Sequence, residues 1–403
     1  MDRYLTADEA ADALGIRIET LYAYVSRGLV RSEPAPDGSR AKRYLAEDVR
    51  RLQRRQVARK NPEQVAEPPL AWGLPVFDSA ITLIEDNHLF YRGYDAANLA
   101  TSRTAEDVAG LLWKGVLDTP VNLPDLTDEG LAIHQSLSTM LPCNQPDPLP
   151  AFQILVNWLG ANDKAGYDFR PSSVIHKGAL ILRHLVYLVS GQRSGNIAGA
   201  LQHAWAEESP GAGFLINAAL ILCSDHELNA SSFTVRCIAS TLAPVHAAIA
   251  GGMSALAGSR HGGASLAVEA LFEEADRTGD PERVVAGRLR RGEPVPGFGH
   301  RLYPEGDPRA RTLLTLCKPT EQETALAGAV WNLTGLEPNL EFGLVALARS
   351  MQAPAGSALT MMTIGRTIGW IAHAIEEYQP NEIIRPRARY AGPPPIDHAP
   401  ATG

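Results

Sequence analysis

The chain has 403 residues, of which 45% are hydrophobic and 20% charged, and a formal net charge of −8. That length exceeds one typical core and implies more than one domain, while the composition is that of an ordinary water-soluble globular protein. The longest apolar run, around Gly213 to Cys223, is interrupted by Asn217 and is too short to cross a bilayer.

The N-terminus carries Asp2 and Arg3 with no secretory apolar region, and Cys143, Cys223, Cys237 and Cys317 lack metal-ligand or pairing spacing. The expectation is a cytoplasmic protein with reduced thiols, no membrane span and no metal. Charge is unevenly placed. Residues 1–60 hold thirteen Lys and Arg against nine Asp and Glu, a net of +4, so the remainder carries −12. A basic module on an acidic body points to two parts with different partners.

Residues 4–58 read as a small winged helix-turn-helix. Thr6-Ala7-Asp8-Glu9 is a capping box, followed by Ala10, Ala13 and Leu14 at helical spacing, and Gly15 supplies a tight turn. Glu19 to Val25 forms a second short helix, ended by Gly28. Residues 32–40, with two prolines and Asp37-Gly38, suit a hairpin wing, and a third helix near Asp48 carries Arg50, Arg51, Arg54 and Arg55. The module resembles the DNA-binding domain of the MerR family through Thr20-Leu21, Arg43 and Tyr44. That resemblance implies DNA as a partner, with Thr20 and Tyr22 on the groove-facing helix and Arg40 and Arg43 near phosphates. A helical protein–protein module with a solvated basic face is the alternative.

Beyond residue 58 the chain is charged and then proline-rich, a linker over 59–70. A β-like opening follows at Thr82 to Tyr94. The rest is helical in pattern, with amphipathic stretches near 104–117, 126–140, 150–160, 173–190, 211–224, 230–256, 264–277, 281–290, 320–334, 341–351 and 357–377. The fold class is mostly α.

Five segments carry chemistry. Gly297-Phe298-Gly299-His300-Arg301-Leu302-Tyr303, running on to Asp307-Pro308-Arg309-Ala310, packs a His, a Tyr, two Arg and an Asp around glycines and prolines. Glycines permit close backbone approach to a ligand and guanidinium forks match carboxylates, so a small multiply anionic molecule is the expected ligand. His226 and Asn229 lie three apart, at a helix start where Asn229 and Ser231 are candidate caps. Ser259-Arg260-His261-Gly262-Gly263 sets an imidazole between a cation and a helix start, both of which disfavour its protonation. A neutral His261 can donate to a carbonyl. Glu341 opens an apolar helix, and Arg366 sits in a helix rich in Gly and Trp.

Taken in order, these segments resemble the citrate synthase family. The matched pieces are Leu89 to Tyr94, His226 to Ser231, His261-Gly262-Gly263-Ala264, Gly297 to Arg301 with Asp307 to Ala310, Pro338 to Phe342, Gly365 to Trp370 and Arg385-Pro386-Arg387. The likeness spans roughly residues 70 to 392. It implies a helical homodimer with a large domain (71–258 and 346–403) and a small one (259–345) that closes on substrate. It also implies condensation of acetyl-CoA with oxaloacetate and hydrolysis of citryl-CoA, with the CoA thioester as substrate and no tightly bound cofactor.

By that resemblance His261, His300 and Glu341 are catalytic: His261 holds the thioester oxygen, Glu341 takes the methyl proton and His300 protonates the keto oxygen. His226, Asn229, Arg309 and Arg366 belong to the oxaloacetate site, and Arg385 reaches the neighbouring subunit. Pro296, Gly297, Phe298 and Gly299 belong to the loop that meets CoA. The sequence departs from the family at Glu341, where the family has aspartate, and at Ser259-Arg260, where it commonly has proline and an apolar residue. Two other readings follow: 2-methylcitrate synthesis from propionyl-CoA, and a DNA-binding regulator whose synthase-like body senses metabolites.

Overall fold

The structure is a computed structural model that describes residues 4–26, 30–34, 42–45, 48–49, 77–138, 147–380, 382–388 and 390–393. It divides into two units, residues 1–78 and 79–403.

The first unit contains β1 (Tyr4–Leu5), α1 (Ala7–Leu14), α2 (Ile18–Ser26), β2 (Ser32–Pro34) and β3 (Lys42–Leu45), with the strands paired antiparallel in the order β1-β3-β2. Thr6 and Glu9 form the reciprocal capping box expected from sequence, and Gly15 ends α1 in the left-handed region at φ 61°. Ala10, Leu14, Leu21, Val30, Tyr44 and Val49 make its small core. Arg40, the third helix expected to run beyond Val49 and the linker expected over 59–70 lie outside the described residues.

The second unit opens with a three-stranded antiparallel sheet of β4 (Thr82–Glu85), β5 (His88–Tyr91) and β6 (Tyr94–Asp95). Asp86 and Asn87 both take positive φ, 49° and 61°, the geometry that a two-residue hairpin loop needs. Helices follow: α3 (Ala96–Ser102), α4 (Ala105–Lys114), α5 (Asp128–Leu137), α6 (Leu149–Asn162), α7 (Pro171–Ser190), α8 (Ile197–Trp205), α9 (Ala212–Cys223), α10 (Ala230–Ala239) and α11 (Val245–Leu256). Then come α12 (Ala264–Thr278), α13 (Pro281–Arg290), α14 (Pro308–Cys317), α15 (Glu321–Thr334), α16 (Leu340–Ser350) and α17 (Ser357–Glu377). Among the described residues no helix is long and apolar enough to cross a membrane.

Two local results differ from the sequence reading. The stretch expected as one helix over 230–256 is two, α10 and α11, because Pro244 cannot continue the helical hydrogen-bond ladder and Leu242 turns to φ 58°. Helices α3, α8 and α14 lie outside the expected helical stretches, although Asp95, Asn196 and Asp307 cap them with their side chains.

Helix α17 is the axis of this unit. It is buried nearly all round, including Arg366, Trp370 and His373, and packs on α9, α10, α11 and α7. Close approach is possible because two of its residues lack a side chain. A Cβ on Gly365 would lie 2.6 Å from the Leu220 carbonyl oxygen, and one on Gly369 would lie 2.1 Å from that of Ser224. The backbone turn after α9 therefore lies directly against α17, and that turn carries His226.

Candidate active site

Five segments supply the site: the Ser224–Asn229 turn, the 259–263 turn before α12, the 295–307 loop before α14, the first turn of α16, and Arg366 on α17. The 295–307 loop owes its path to Gly297 and Gly299, at φ 89° and 74°, a region closed to most side chains. It pairs with the approach to α16: the Asn339 amide donates to the Gly297 carbonyl at 2.9 Å, and the Gly299 amide to the Glu337 carbonyl at 2.8 Å. Phe298 is buried against Phe342, ring centroids 5.0 Å apart, so of this loop Phe298 anchors rather than lines.

Asp307 joins the parts. Its carboxylate caps α14, accepts from Arg309 Nε and Nη2 at 2.9 and 2.8 Å, and accepts from the Leu340 amide at 3.0 Å. The guanidinium of Arg309 is thereby fixed as a planar fork, 5.4 Å from the Tyr303 ring. Arg366 is equally held, with Nε donating to the Cys223 carbonyl at 2.7 Å.

Three imidazoles meet these cations. His226 and His300 stand edge to face at 5.0 Å between centroids, and His226 Nε2 lies 3.0 Å from Tyr303 Oη. Burial, then Arg309, His300, Arg366 and His261, push the His226 pKa well below its usual value. His300 is lowered to about 4 by burial and then by Arg309. His261 is also lowered to about 4, by burial first and Arg366 second. The neutral His261 expected from sequence is thus found, with burial and the Arg366 charge as its causes.

His261 Nε2 lies 2.9 Å from Ser231 Oγ, which also contacts Asn229 Oδ1 at 2.7 Å and receives Trp370 Nε1–H at 3.2 Å. Asn229 caps α10, accepting from the Ser231 and Ser232 amides and donating to the His226 carbonyl at 3.3 Å. It shapes the turn that bears His226. Glu341, in the first turn of α16, has its pKa raised by burial and by Asp307, against the pull of Arg309, its own amide and Arg366.

Sequence reasoning placed His226, His261, His300, Arg309, Arg366 and Glu341, and the contacts bring them together: His226 against His300, Arg309 beside Tyr303, His261 on Ser231, Arg366 on the Cys223 carbonyl, and Glu341 next to Leu340, whose amide meets Asp307. Arg385 is exposed in the extended stretch after α17 and does not join them within this chain. Thr20 is half-buried and Tyr22 exposed on α2, while Arg43 pairs with Glu33 and stacks 4.3 Å over Tyr4. Tyr303, Asp307 and Ser231 were noted in sequence, but the supporting contacts that they and Trp370 make were missed. Each lies inside one of the sequence motifs, yet only the fold shows what it touches.

The family described as "Citrate synthase, C-terminal domain" matches residues 70–387. The chain belongs to the citrate synthase family. Among curated relatives of this family, it is similar to the citrate synthase of Haloferax volcanii, 31% identical over 367 residues that cover 81% of this chain and 96% of the relative. It is also similar to 2-methylcitrate synthase 2 of Corynebacterium glutamicum, 28% identical over 347 residues, covering 76% and 90%. Among solved structures, the crystal structure of citrate synthase from Thermotoga maritima superposes with a TM-score of 0.67 at 26% identity, over 81% of this chain and 96% of that one.

Proposed function

We propose that this chain condenses acetyl-CoA with oxaloacetate and hydrolyses the resulting citryl-CoA to citrate and CoA. The observation that carries the reading is the gathering of neutral His226, His261 and His300 with Arg309, Arg366 and Glu341. A thioester methyl group is a weak carbon acid, so a carboxylate removes its proton only when the carbonyl is polarised at the same time. Glu341 is the base. His261 donates to the thioester oxygen. One hydroxyl proton on Ser231 serves either Asn229 or His261 Nε2, and donation to Nε2 leaves the other ring nitrogen protonated for that task.

The enol carbon then attacks the keto carbon of oxaloacetate. His300 Nε2–H hydrogen-bonds the keto oxygen and steadies the alkoxide as it forms, and the proton that Glu341 took from the methyl group balances the new hydroxyl. Arg309, Arg366 and His226 hold the carboxylates, and the Pro296–Gly299 loop meets CoA. Water then releases CoA from the new thioester. Closure of a small domain (259–345) on a large one (71–258 and 346–403) would exclude water until the carbon–carbon bond exists.

A homodimer completes the site in this reading. Ile154 and Trp158 lie one turn apart and exposed on α6, beside Pro150, Gln153, Asn157 and Ala161, which favours covering by a second copy. Arg385, exposed beyond α17, is then offered to the neighbouring site. A cytoplasmic location fits the free thiols of Cys223, Cys237 and Cys317.

The test is CoA release from acetyl-CoA plus oxaloacetate, compared with His261→Ala. Robust turnover that collapses in the variant is expected; no turnover in the wild type overturns the reading. Running propionyl-CoA alongside decides between citrate and 2-methylcitrate, the product named for the Corynebacterium relative. A regulatory reading, with residues 1–58 as a MerR-like DNA-binding module, draws support from the capped helix α1, the helix α2 that follows it and the antiparallel β2–β3 pair of the first unit. It predicts oxaloacetate binding without turnover.

A further inference from the structure

Four ionisable side chains buried beside the site have no part in the mechanism above. Asp225 immediately precedes His226, and its carboxylate is fully buried. It accepts from Thr82 Oγ1 at 2.6 Å, His373 Nε2 at 3.1 Å and Ser232 Oγ at 3.4 Å. His373 Nδ1 in turn accepts from Arg236 Nε at 3.0 Å. An arginine can only donate, so this bond puts the ring proton on Nε2, aimed at Asp225. Arg236 Nη1 continues the chain to Glu377 at 2.9 Å, and its Nη2 reaches Glu376 and Ser79.

Burying such a series is costly, and well-packed apolar residues would often stabilise a core at least as well. What the series does specify is the position of one backbone turn. Glu227, next to His226, takes φ 50°, a strained setting for a side-chain-bearing residue. The turn is also held by the Asp225 amide on Tyr91 Oη at 3.2 Å, by Tyr91 Oη near the Asp225 carbonyl at 3.1 Å, by Glu227 accepting from the Ile84 amide at 3.2 Å and by Asn229 donating to the His226 carbonyl at 3.3 Å. His373 and Arg366 share α17, so the helix that presents one substrate-binding cation also anchors the neighbouring imidazole.

We propose that Asp225, His373, Arg236 and Glu377 form a positioning relay that sets His226 for the oxaloacetate carboxylate. None of the four touches substrate; the relay acts through the Asp225–His226 peptide. It rests on the function proposed above for that site.

Two substitutions cut it at different links. His373→Gln keeps a donor at the distance of Nε2 for Asp225 and loses the acceptor for Arg236. His373→Asn keeps an acceptor near Nδ1 and loses the donor to Asp225. Both remove one buried hydrogen bond, so a merely structural role would lower the melting temperature of both alike and leave KM unchanged. The relay predicts an oxaloacetate KM raised about tenfold or more in His373→Asn, with the acyl-CoA KM and kcat near wild type, and largely restored in His373→Gln. An unchanged KM in folded His373→Asn overturns the proposal, as does an equal rise in both variants.

A substrate-independent readout separates this from the assigned activity. Crystal structures of the two variants should show the 225–227 turn displaced, and His226 drawn away from Tyr303, only in His373→Asn. An undisplaced turn in that variant refutes the relay even if the enzyme is active. A displaced turn supports it even if wild-type protein fails to turn over, in which case only the assigned reaction falls.

Discussion

The Leu302 amide donates to Nδ1 of His300 at 3.2 Å, a bond between two residues of one tight loop turn. With Nδ1 accepting and the ring neutral, the proton must sit on Nε2, which is left as a donor. A donor of fixed direction is what a developing alkoxide needs. Replacing His300 by Gln retains an N–H near the Nε2 position, whereas Ala removes it. The expected loss in kcat is about tenfold for His300→Gln and about a hundredfold to a thousandfold for His300→Ala. Steady-state rates of CoA release check this, and equal losses in the two variants would count against a donor role.

The Arg366 guanidinium bears on two imidazoles at once, helping to depress both His226 and His261. Removing the cation in Arg366→Gln should therefore raise the His261 pKa above about 4, since protonation no longer meets that charge. Burial remains the larger cause, so the value stays below an unperturbed histidine. Titration of isotopically labelled histidine by NMR reads the shift directly. The same variant should raise the oxaloacetate KM about a hundredfold, because a fixed fork to a carboxylate is lost.

The site was readable from sequence where chemistry and backbone demand the same residue. Gly297 and Gly299 must be glycine for their φ, and His300 follows them, so the loop announces itself. His226 was harder: on a polar turn it reads as an ordinary helix-start residue, and only the fold sets Tyr303, seventy-seven positions on, against it. The helices were visible through their apolar spacing, which is local. Helix α14 escaped because its Arg-rich first turn reads as loop chemistry, while its cap, Asp307, also binds Arg309 and the Leu340 amide. One residue with three duties leaves little periodicity to read.

A second histidine group lies away from the site. His134 Nε2 and His184 Nδ1 are 3.0 Å apart, and His246 Nδ1 is 3.9 Å from Asp163 Oδ2; all three histidines are buried. Burial lowers each to about 4, with Asp163 only partly opposing this at His246. The unfolded chain takes up these protons near pH 6.5, so stability holds above that pH and declines as pH falls towards 4. The loss is roughly 3 kcal/mol at most for each such group. Denaturant unfolding from pH 7 to pH 4.5 should show this fall, and His246→Gln should reduce its slope by about one proton. An unchanged slope would show that His246 is not buried neutral.

For the first unit, DNA binding makes a separate forecast. Arg43 is already paired with Glu33 and stacked on Tyr4, so a phosphate must compete with both. Binding through this unit should be weak and steeply salt-dependent, with log K falling linearly in log salt. A gel shift of duplex DNA by the full chain at low salt, lost when residues 1–58 are removed, is the expected result. Retention of CoA release by the truncated chain would show that the second unit works without it.

Glu341 gives the sharpest test of the chemistry. The start of α16 is pinned by the Leu340 amide on Asp307 and the Asn339 amide on the Gly297 carbonyl, so its backbone cannot advance to meet a shorter base. Glu341→Asp therefore withdraws the carboxylate by about an ångström, and a displacement of that size costs roughly a hundredfold in rate. Glu341→Gln removes the proton acceptor altogether and should cost about a thousandfold or more. Because burial raises the Glu341 pKa, the acid limb of the rate profile should lie above the usual carboxylate value of 4.5. Hydrogen–deuterium exchange at the acyl-CoA methyl group, followed with an oxaloacetate analogue bound, isolates the proton-transfer step. An aspartate variant that exchanges as fast as the parent would mean the backbone has more freedom than these bonds allow.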